Sequence, residues 1–131
     1  MRWLFWLFLV IVITFSLIPA QDDIPGANDI FAILAKVLLG DEMQGDKIAH
    51  FIAYGSVSGA GTLAQIKPFN RLWSLSVSLV LLGALLERAQ SLISFRMPDM
   101  LDFLANGLGV FIGWIIAYAV ILTSKTTDEN K

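Results

Sequence analysis

The chain of 131 residues is 56% hydrophobic and only 15% charged, with a formal net charge of -2. A soluble domain usually carries about a quarter charged residues, so this deficit, with a mean hydropathy of +0.72, indicates an integral membrane protein. The charge balance provides no basic surface for nucleic acid, and the absence of cysteine excludes disulfides, thiolate metal sites and cysteine nucleophiles.

The first apolar stretch, residues 3–18, predicts a membrane-spanning helix. At about 1.5 Å per residue it barely crosses a hydrocarbon core about 30 Å thick. A cleaved signal peptide is the competing interpretation, because Arg2 precedes the stretch and Ala20 lies just before a potential cleavage point. Ile18 and Pro19 suit such a point poorly, since small residues are usual there. We therefore favour a retained helix.

Residues 19–45 are polar and rich in turn-forming glycine and proline. Within them, residues 28–39 predict a short amphipathic helix, because their apolar side chains fall on or near one side. Asn28 suits the N-terminal cap of this helix and Gly40 its C-terminal end. We expect this helix to lie in the membrane interface.

Three longer apolar segments follow, at residues 46–66, 72–93 and 98–122. Pro98 suits the first turn of the last segment, because proline at that position sacrifices no helical hydrogen bond. A polar tail then ends the sequence. The predicted fold is all-α, with one membrane domain over residues 1–131: a four-helix transmembrane bundle with a short interfacial helix between the first and second spans.

The charges of the loops predict the orientation of this bundle. Lys67 and Arg71 lie in the short loop between the second and third spans, which contains no acidic residue. Because basic residues favour the cytoplasmic side, we expect this loop and both chain termini inside the cell. Arg88 and Arg96, on the opposite side, argue weakly against this orientation.

Polar residues lie near the outer ends of three spans. They are Asp46, Lys47, His50 and Tyr54 on the second span, Glu87 and Gln90 on the third, and Arg96, Asp99, Asp102 and Asn106 at the start of the fourth. The spacings place Asp46, His50 and Tyr54 on one helical face, and Asp99, Asp102 and Asn106 on another. Because consecutive spans alternate in direction, we expect these side chains to converge. Small residues deeper on the same faces, such as Gly109 and Gly113, would let helices approach closely.

Each polar residue also has a structural interpretation. Charges at helix ends reach toward water, and carboxylates in a first turn suit the positive end of the helix dipole. His50, Glu87 and Asn106 fit this interpretation less well, because each lies a turn or more inside its helix, where an unpaired polar group is costly. Two alternatives stay open: a functional site, or a purely structural hydrogen-bond network that locks three helices together.

The residue types limit the chemistry of a functional site. His50 with Glu87 or Asp102 could form a general acid–base pair, so these three are the candidate catalytic residues. Arg96 and Lys47 could hold a phosphate or carboxylate at the level of the lipid head groups. The candidate ligand-binding residues are Lys47, Gln90, Arg96 and Asn106. One histidine with scattered carboxylates is a poor metal-binding set, so we expect neither a metal nor a cofactor.

In order and spacing, these residues resemble the VanZ-like family of small bacterial membrane proteins. The resemblance covers residues 46–115 and rests on Asp46-Lys47-x-x-His50-x-x-x-Tyr54, Glu87-x-x-Gln90, and Arg96-x-x-Asp99-x-x-Asp102-x-x-x-Asn106-Gly107-x-Gly109-x-x-x-Gly113. Ser94 and Phe95 stand where the family often has turn residues such as Pro-Gly. The resemblance implies a four-helix fold in the bacterial inner membrane. It also implies an association, for the family's namesake, with resistance to the glycopeptide teicoplanin.

Three functions are compatible with the sequence. In the leading hypothesis, the outward-facing polar residues bind the head group of an envelope lipid or of a lipid-linked envelope precursor, and membrane lipids are the partners. In the second, the protein is a membrane-embedded hydrolase or transferase that acts on a phosphorylated lipid. In the third, it is a non-catalytic scaffold that binds another membrane protein through its glycine faces.

Overall fold

The computed structural model describes residues 2–17, 27–93 and 100–129, and all regular structure within these ranges is helical. The helices are α1 (Arg2–Leu17), α2 (Ala27–Leu39), α3 (Gly45–Leu63), α4 (Leu72–Ile93) and α5 (Met100–Glu129), with a single short helical turn at Glu42–Gln44 before α3. The all-helical class predicted from the sequence is therefore confirmed. Each predicted helix has a counterpart whose bounds differ mainly at the C-termini of α3 and α5.

The end of α3 is set by a left-handed residue rather than by the end of the apolar run. Gln65 has φ 56°, and its backbone N–H donates to the carbonyl of Thr62 at 3.0 Å. The N–H of Ile66 donates to the carbonyl of Gly61 at 3.0 Å. Together these two bonds form a Schellman motif, which satisfies carbonyls that the last helical turn would otherwise leave unpaired. This motif ends α3 three residues before the predicted boundary at residue 66.

The hydrophobic core lies where α1, α3, α4 and α5 meet. Its buried members are Phe5, Val12, Tyr54, Val57, Leu75, Leu79 and Val110. Gly61 shows how closely these helices approach, because a Cβ atom there would lie 2.6 Å from the Leu75 side chain and 2.8 Å from that of Phe5. The first helix therefore packs as part of the bundle.

The contact between α3 and α5, which we call the α3–α5 seam, is built from backbone meeting backbone. A Cβ atom at Gly109 would collide with the carbonyl oxygen of Phe51, and one at Gly113 would collide with that of Gly55. Ser58 adds a buried hydrogen bond, since its hydroxyl donates to the carbonyl of Val110 at 2.8 Å. The glycines singled out in the sequence thus pack within the chain.

Two of the described helices are long and apolar enough to cross a membrane, at Leu72–Leu92 and Met100–Ser124. Most of their residues face outward, which distinguishes them from the core helices of a soluble protein. Helix α1 is apolar but has only 16 residues, and α3 carries charged and small polar residues along its length. By length and composition, then, the fold contains two candidate spans.

Helix α2 is amphipathic and packs against the start of α3. Its apolar side chains Ile30, Ile33 and Val37 are exposed, whereas Ala35 is fully buried. The exposed side chains of Lys36 and Glu42 form an ion pair, and this hydrogen bond and the charge of Glu42 raise the pKa of Lys36. The pair ties the end of α2 to the short turn that leads into α3.

Candidate functional site

Lys47 is the central charge of the predicted site, and it bridges two carboxylates. Its Nζ lies 2.8 Å from Asp46 Oδ2 and 3.3 Å from Asp102 Oδ1. The Asp102 residue is only 3% exposed, and it belongs to α5, whereas Lys47 belongs to α3. The lysine therefore links the first turns of α3 and α5 through a largely buried ion pair, and these residues converge as the sequence predicts.

Asn106, one turn beyond Asp102, and Tyr54, two turns beyond Lys47, converge on a glycine of α4. A Cβ atom at Gly83 would lie 3.2 Å from Tyr54 Cε1 and 3.3 Å from Asn106 Nδ2. Tyr54 and Asn106 are each 2% exposed. The absence of a side chain at Gly83 therefore gives these two polar side chains room at the point where three helices meet.

Asn106 has an unused hydrogen-bond acceptor in this buried position. Within residues 2–17, 27–93 and 100–129, no group donates a hydrogen bond to its Oδ1. A buried polar oxygen of this kind costs free energy unless water or a ligand supplies a donor. Asn106 Oδ1 is therefore the buried acceptor of this region that a donor group could still satisfy.

Ser16 belongs to the same group of residues, although the sequence gives no sign of it. Its side chain is buried, and it forms a side-chain hydrogen bond with the Tyr54 hydroxyl. The bond connects α1 to the polar centre of the bundle. A serine in an apolar helix is an ordinary interruption, so only its position beside Tyr54 distinguishes it.

Two of the candidate catalytic residues, His50 and Glu87, lie at the edge of this group of polar side chains. His50 and Glu87 are both half-buried. The His50 imidazole is close enough to Asp102 to act on its charge, and the Glu87 carboxylate acts on Tyr54 in the same way. Gln90 is also half-buried, one turn outward from Glu87 on α4. Arg96 and Asp99 lie outside the described residues.

We define the polar cluster as the side chains that these contacts connect. They are Ser16, Asp46, Lys47, His50, Tyr54, Glu87, Asp102 and Asn106. The outer layer of the cluster carries formal charges, and the inner layer holds neutral hydrogen-bonding groups. The cluster can thus offer an ammonium group, carboxylates and an amide acceptor to a polar ligand. Among the described residues, no three His, Cys, Asp or Glu side chains are grouped so that they could hold a metal ion.

Comparison with known proteins adds no relative to this description. No model of a known protein family, no curated protein and no solved structure matches the chain. The interpretation of the cluster therefore depends on its own geometry.

Proposed function

We propose that this chain is an integral protein of the bacterial inner membrane, of the VanZ-like kind, that binds the polar head group of an envelope lipid or lipid-linked precursor in the polar cluster. One observation carries the proposal. The buried Oδ1 of Asn106 lacks a donor in the described part of the chain, one helical turn below the ion pair of Lys47 and Asp102. A head group with a hydroxyl or amino group would supply that donor.

The surface of α4 and α5 supports the membrane location in this proposal. Large apolar side chains cover the outside of both helices, including Leu81, Leu85, Leu104, Phe111 and Ile116, each at least half exposed. Such a surface is stable against lipid and prone to aggregation in water. We also propose that the cluster faces outward and that both termini are cytoplasmic. The basic residues Lys67 and Arg71 support this orientation, because they favour the cytoplasmic side of the membrane.

The charges of the cluster narrow the type of head group. The cluster holds three acidic residues, Asp46, Glu87 and Asp102, and Lys47 is the basic residue that pairs with two of them. A head group that carries only negative charge would meet repulsion from the carboxylates. A phosphate that also bears O–H or N–H donors suits the cluster better, because Lys47 attracts the phosphate while the carboxylates and Asn106 accept the donors.

Binding measurements on purified protein in lipid nanodiscs test this proposal. The variant Lys47→Met removes the central ammonium group, and Lys67→Met is its control, because Lys67 is an exposed lysine in the loop after α3. We expect Lys47→Met to weaken binding of phosphatidylethanolamine by about tenfold, the loss expected for one charge-assisted hydrogen bond. Lys67→Met should bind as the parent protein does. Equal affinity of both variants and the parent, with folding intact, would contradict the proposal.

An enzymatic function on a phosphorylated lipid is the second candidate, and the electrostatic interaction between His50 and Asp102 favours it. A nearby carboxylate stabilises the protonated form of an imidazole, which suits a general acid–base role. The test is phosphate release from polyprenyl and glycerophospholipid substrates by the parent protein and by His50→Gln. Turnover that disappears in His50→Gln would establish an enzyme, whereas parent protein without turnover leaves the binding function.

Two further expectations from the sequence have less support. A scaffold that uses the glycine faces would need glycines that Phe51 and Gly55 already cover within the chain. A role in teicoplanin susceptibility comes only from the resemblance to the VanZ-like family. It is tested by comparing growth in teicoplanin of a strain without the protein, a strain with the parent protein and a strain with Lys47→Met.

A further inference from the structure

A narrow groove follows the α3–α5 seam on its outer side. Its volume is about 290 Å³, and it is open along one side rather than enclosed. Gly55 and Gly59 of α3 and Gly109 and Gly113 of α5 form part of its lining. Because the two backbones already touch at the glycines, the helices cannot approach further to close the groove.

The groove has the length of one lipid chain in one leaflet. On α3 it extends from Phe51 to Leu63 and on α5 from Gly109 to Val120. At 1.5 Å per residue these segments are about 18 Å and about 17 Å long. Half of the hydrocarbon core of a bilayer measures about 15 Å. A single extended hydrocarbon chain would therefore occupy the groove from end to end.

The chemistry of the lining selects a hydrocarbon over a polar ligand. Its side chains are apolar, apart from Ser56. The Ser56 hydroxyl already donates to the carbonyl of Ile52 at 2.8 Å, as serine commonly does within a helix. The one polar side chain of the lining is thus satisfied by its own helix, so a polar ligand would gain nothing there.

The groove and the ion pair of the polar cluster lie along the same α3–α5 seam. Lys47 lies one helical turn before Phe51 on the same face of α3, and Asp102 lies two turns before Gly109 on α5. The ion pair of Lys47 and Asp102 therefore closes the outer end of the same seam. A lipid whose head group lay at that ion pair would have its chain directed along the groove.

We propose that the groove binds one hydrocarbon chain of a membrane lipid. The inference rests on the proposed function, because it treats the chain as that of the lipid whose head group lies in the polar cluster. A second copy of the protein is the alternative occupant. A groove between two helices whose backbones touch at the glycines is narrow for a helix about 10 Å across with its side chains.

A photoreactive lipid tests the occupant directly. Phosphatidylethanolamine with a diazirine midway along one acyl chain is incorporated into nanodiscs with the parent protein, and the cross-linked residues are mapped by mass spectrometry. We expect cross-links to concentrate on the groove residues Ile112, Ile116 and Val120. In Ser56→Phe, a bulky ring fills the groove, and we expect these cross-links to fall about tenfold, since losing the burial of about two CH₂ groups suffices for that factor.

The control is Ala119→Phe, which places the same ring on the exposed surface of α5, outside the groove. It should leave the cross-links at their parental level. Both substituted positions are exposed, so both variants are expected to fold, which circular dichroism and size-exclusion chromatography would check. Unchanged cross-linking in folded Ser56→Phe would overturn the groove as a chain-binding site.

Two further arms separate the possible failures. If Lys47→Met abolishes head-group preference while Ser56→Phe leaves the cross-links unchanged, the proposed function stands and the groove inference falls. If Ser56→Phe displaces the lipid chain but Lys47→Met leaves head-group preference unaltered, the groove stands as a chain site and the head-group proposal falls.

Because the protein has no cysteine of its own, Ser56→Cys reports on a second copy. A disulfide dimer with Ser56→Cys and none with Ala119→Cys would overturn the lipid assignment.

Discussion

Lys47 of α3 and Asp102 of α5 form an ion pair across the α3–α5 seam, with 3.3 Å between Nζ and Oδ1. Because the carboxylate is almost completely shielded from solvent, water cannot easily replace the lysine as its partner. The pair therefore holds the N-terminal ends of the two helices in register.

The first prediction concerns the stability that this ion pair provides. Asp102→Leu leaves the Lys47 ammonium group with only the partly exposed Asp46 as its partner, and we expect a loss of about 1–3 kcal/mol in the free energy of unfolding. The double variant Lys47→Met with Asp102→Leu should recover much of this loss, because it removes both charges. The measurement is unfolding by sodium dodecyl sulfate in detergent micelles, followed by tryptophan fluorescence.

The control for this prediction is the exposed ion pair of Lys36 and Glu42. Glu42→Gln should change stability by about 1 kcal/mol at most, because water screens exposed charges. A loss in Asp102→Leu no larger than the loss in Glu42→Gln would show that the buried pair contributes little to stability.

The second prediction concerns the glycines of the seam. Gly113→Ala adds a methyl group against the carbonyl of Gly55, and a backbone atom cannot move aside as a flexible side chain can. We expect a loss of about 1–3 kcal/mol, the usual cost of overpacking. Gly107→Ala is the matched control, because no atom of the described chain lies within 4 Å of the position that a Cβ atom would take there. It should gain up to about 1 kcal/mol from better helix propensity.

The third prediction concerns the hydrogen bond between Ser16 and Tyr54. Tyr54→Phe and Ser16→Ala should each cost about 1 kcal/mol, and the double variant should cost less than the sum of the two. The coupling energy is measured in a double-mutant cycle of unfolding free energies. Strictly additive effects would mean that α1 is not held to the polar cluster through this bond.

The fourth prediction concerns the left-handed residue that ends α3. Gln65 has φ 56°, a conformation that glycine adopts without the steric penalty of a Cβ atom. Gln65→Gly should therefore raise the free energy of unfolding by up to about 1 kcal/mol. Gln65→Val should lower it, because a β-branched residue is least suited to this region. The opposite order of the two variants in thermal unfolding would contradict the Schellman assignment.

The fifth prediction concerns orientation in the membrane. A reporter fused after residue 67 should be active as a cytoplasmic protein, and one fused after residue 93 as an external one, because Lys67 and Arg71 favour the inside. Fusions to alkaline phosphatase and to green fluorescent protein make this measurement, because the two reporters are active on opposite sides of the membrane. The reversed pattern would turn the polar cluster toward the cytoplasm.

The sequence predicted the positions of the helices well, because the features that determine them are local. Apolar runs, Asn28 and Gly40 mark the bounds of α1, α2 and α4 to within one or two residues. Helix α5 departs from the prediction and continues past residue 122, since helical hydrogen bonding persists into the polar tail. The end of α3 departs as well, because no residue pattern marks glutamine at position 65 for a left-handed conformation.

The polar cluster was only partly predictable, for a different physical reason. Helical spacing and alternating direction correctly bring Lys47, Asp102 and Asn106 to one end of the bundle. Which atoms pair there depends on how each helix is rotated about its axis, and the sequence does not encode that rotation locally. The ion pair of Lys47 with Asp102 and the bond from Ser16 to Tyr54 both follow from that rotation.

The length of α5 has a practical consequence for handling the protein. Its 30 residues make a rod of about 45 Å, whereas a hydrocarbon core is about 30 Å thick. If α5 crosses a bilayer upright, about 15 Å of helix extends beyond the hydrocarbon core. A fluorescent protein or a marker domain for electron microscopy, joined in continuous helix after Glu129, would stand clear of the lipid surface and report the tilt of the bundle beneath it.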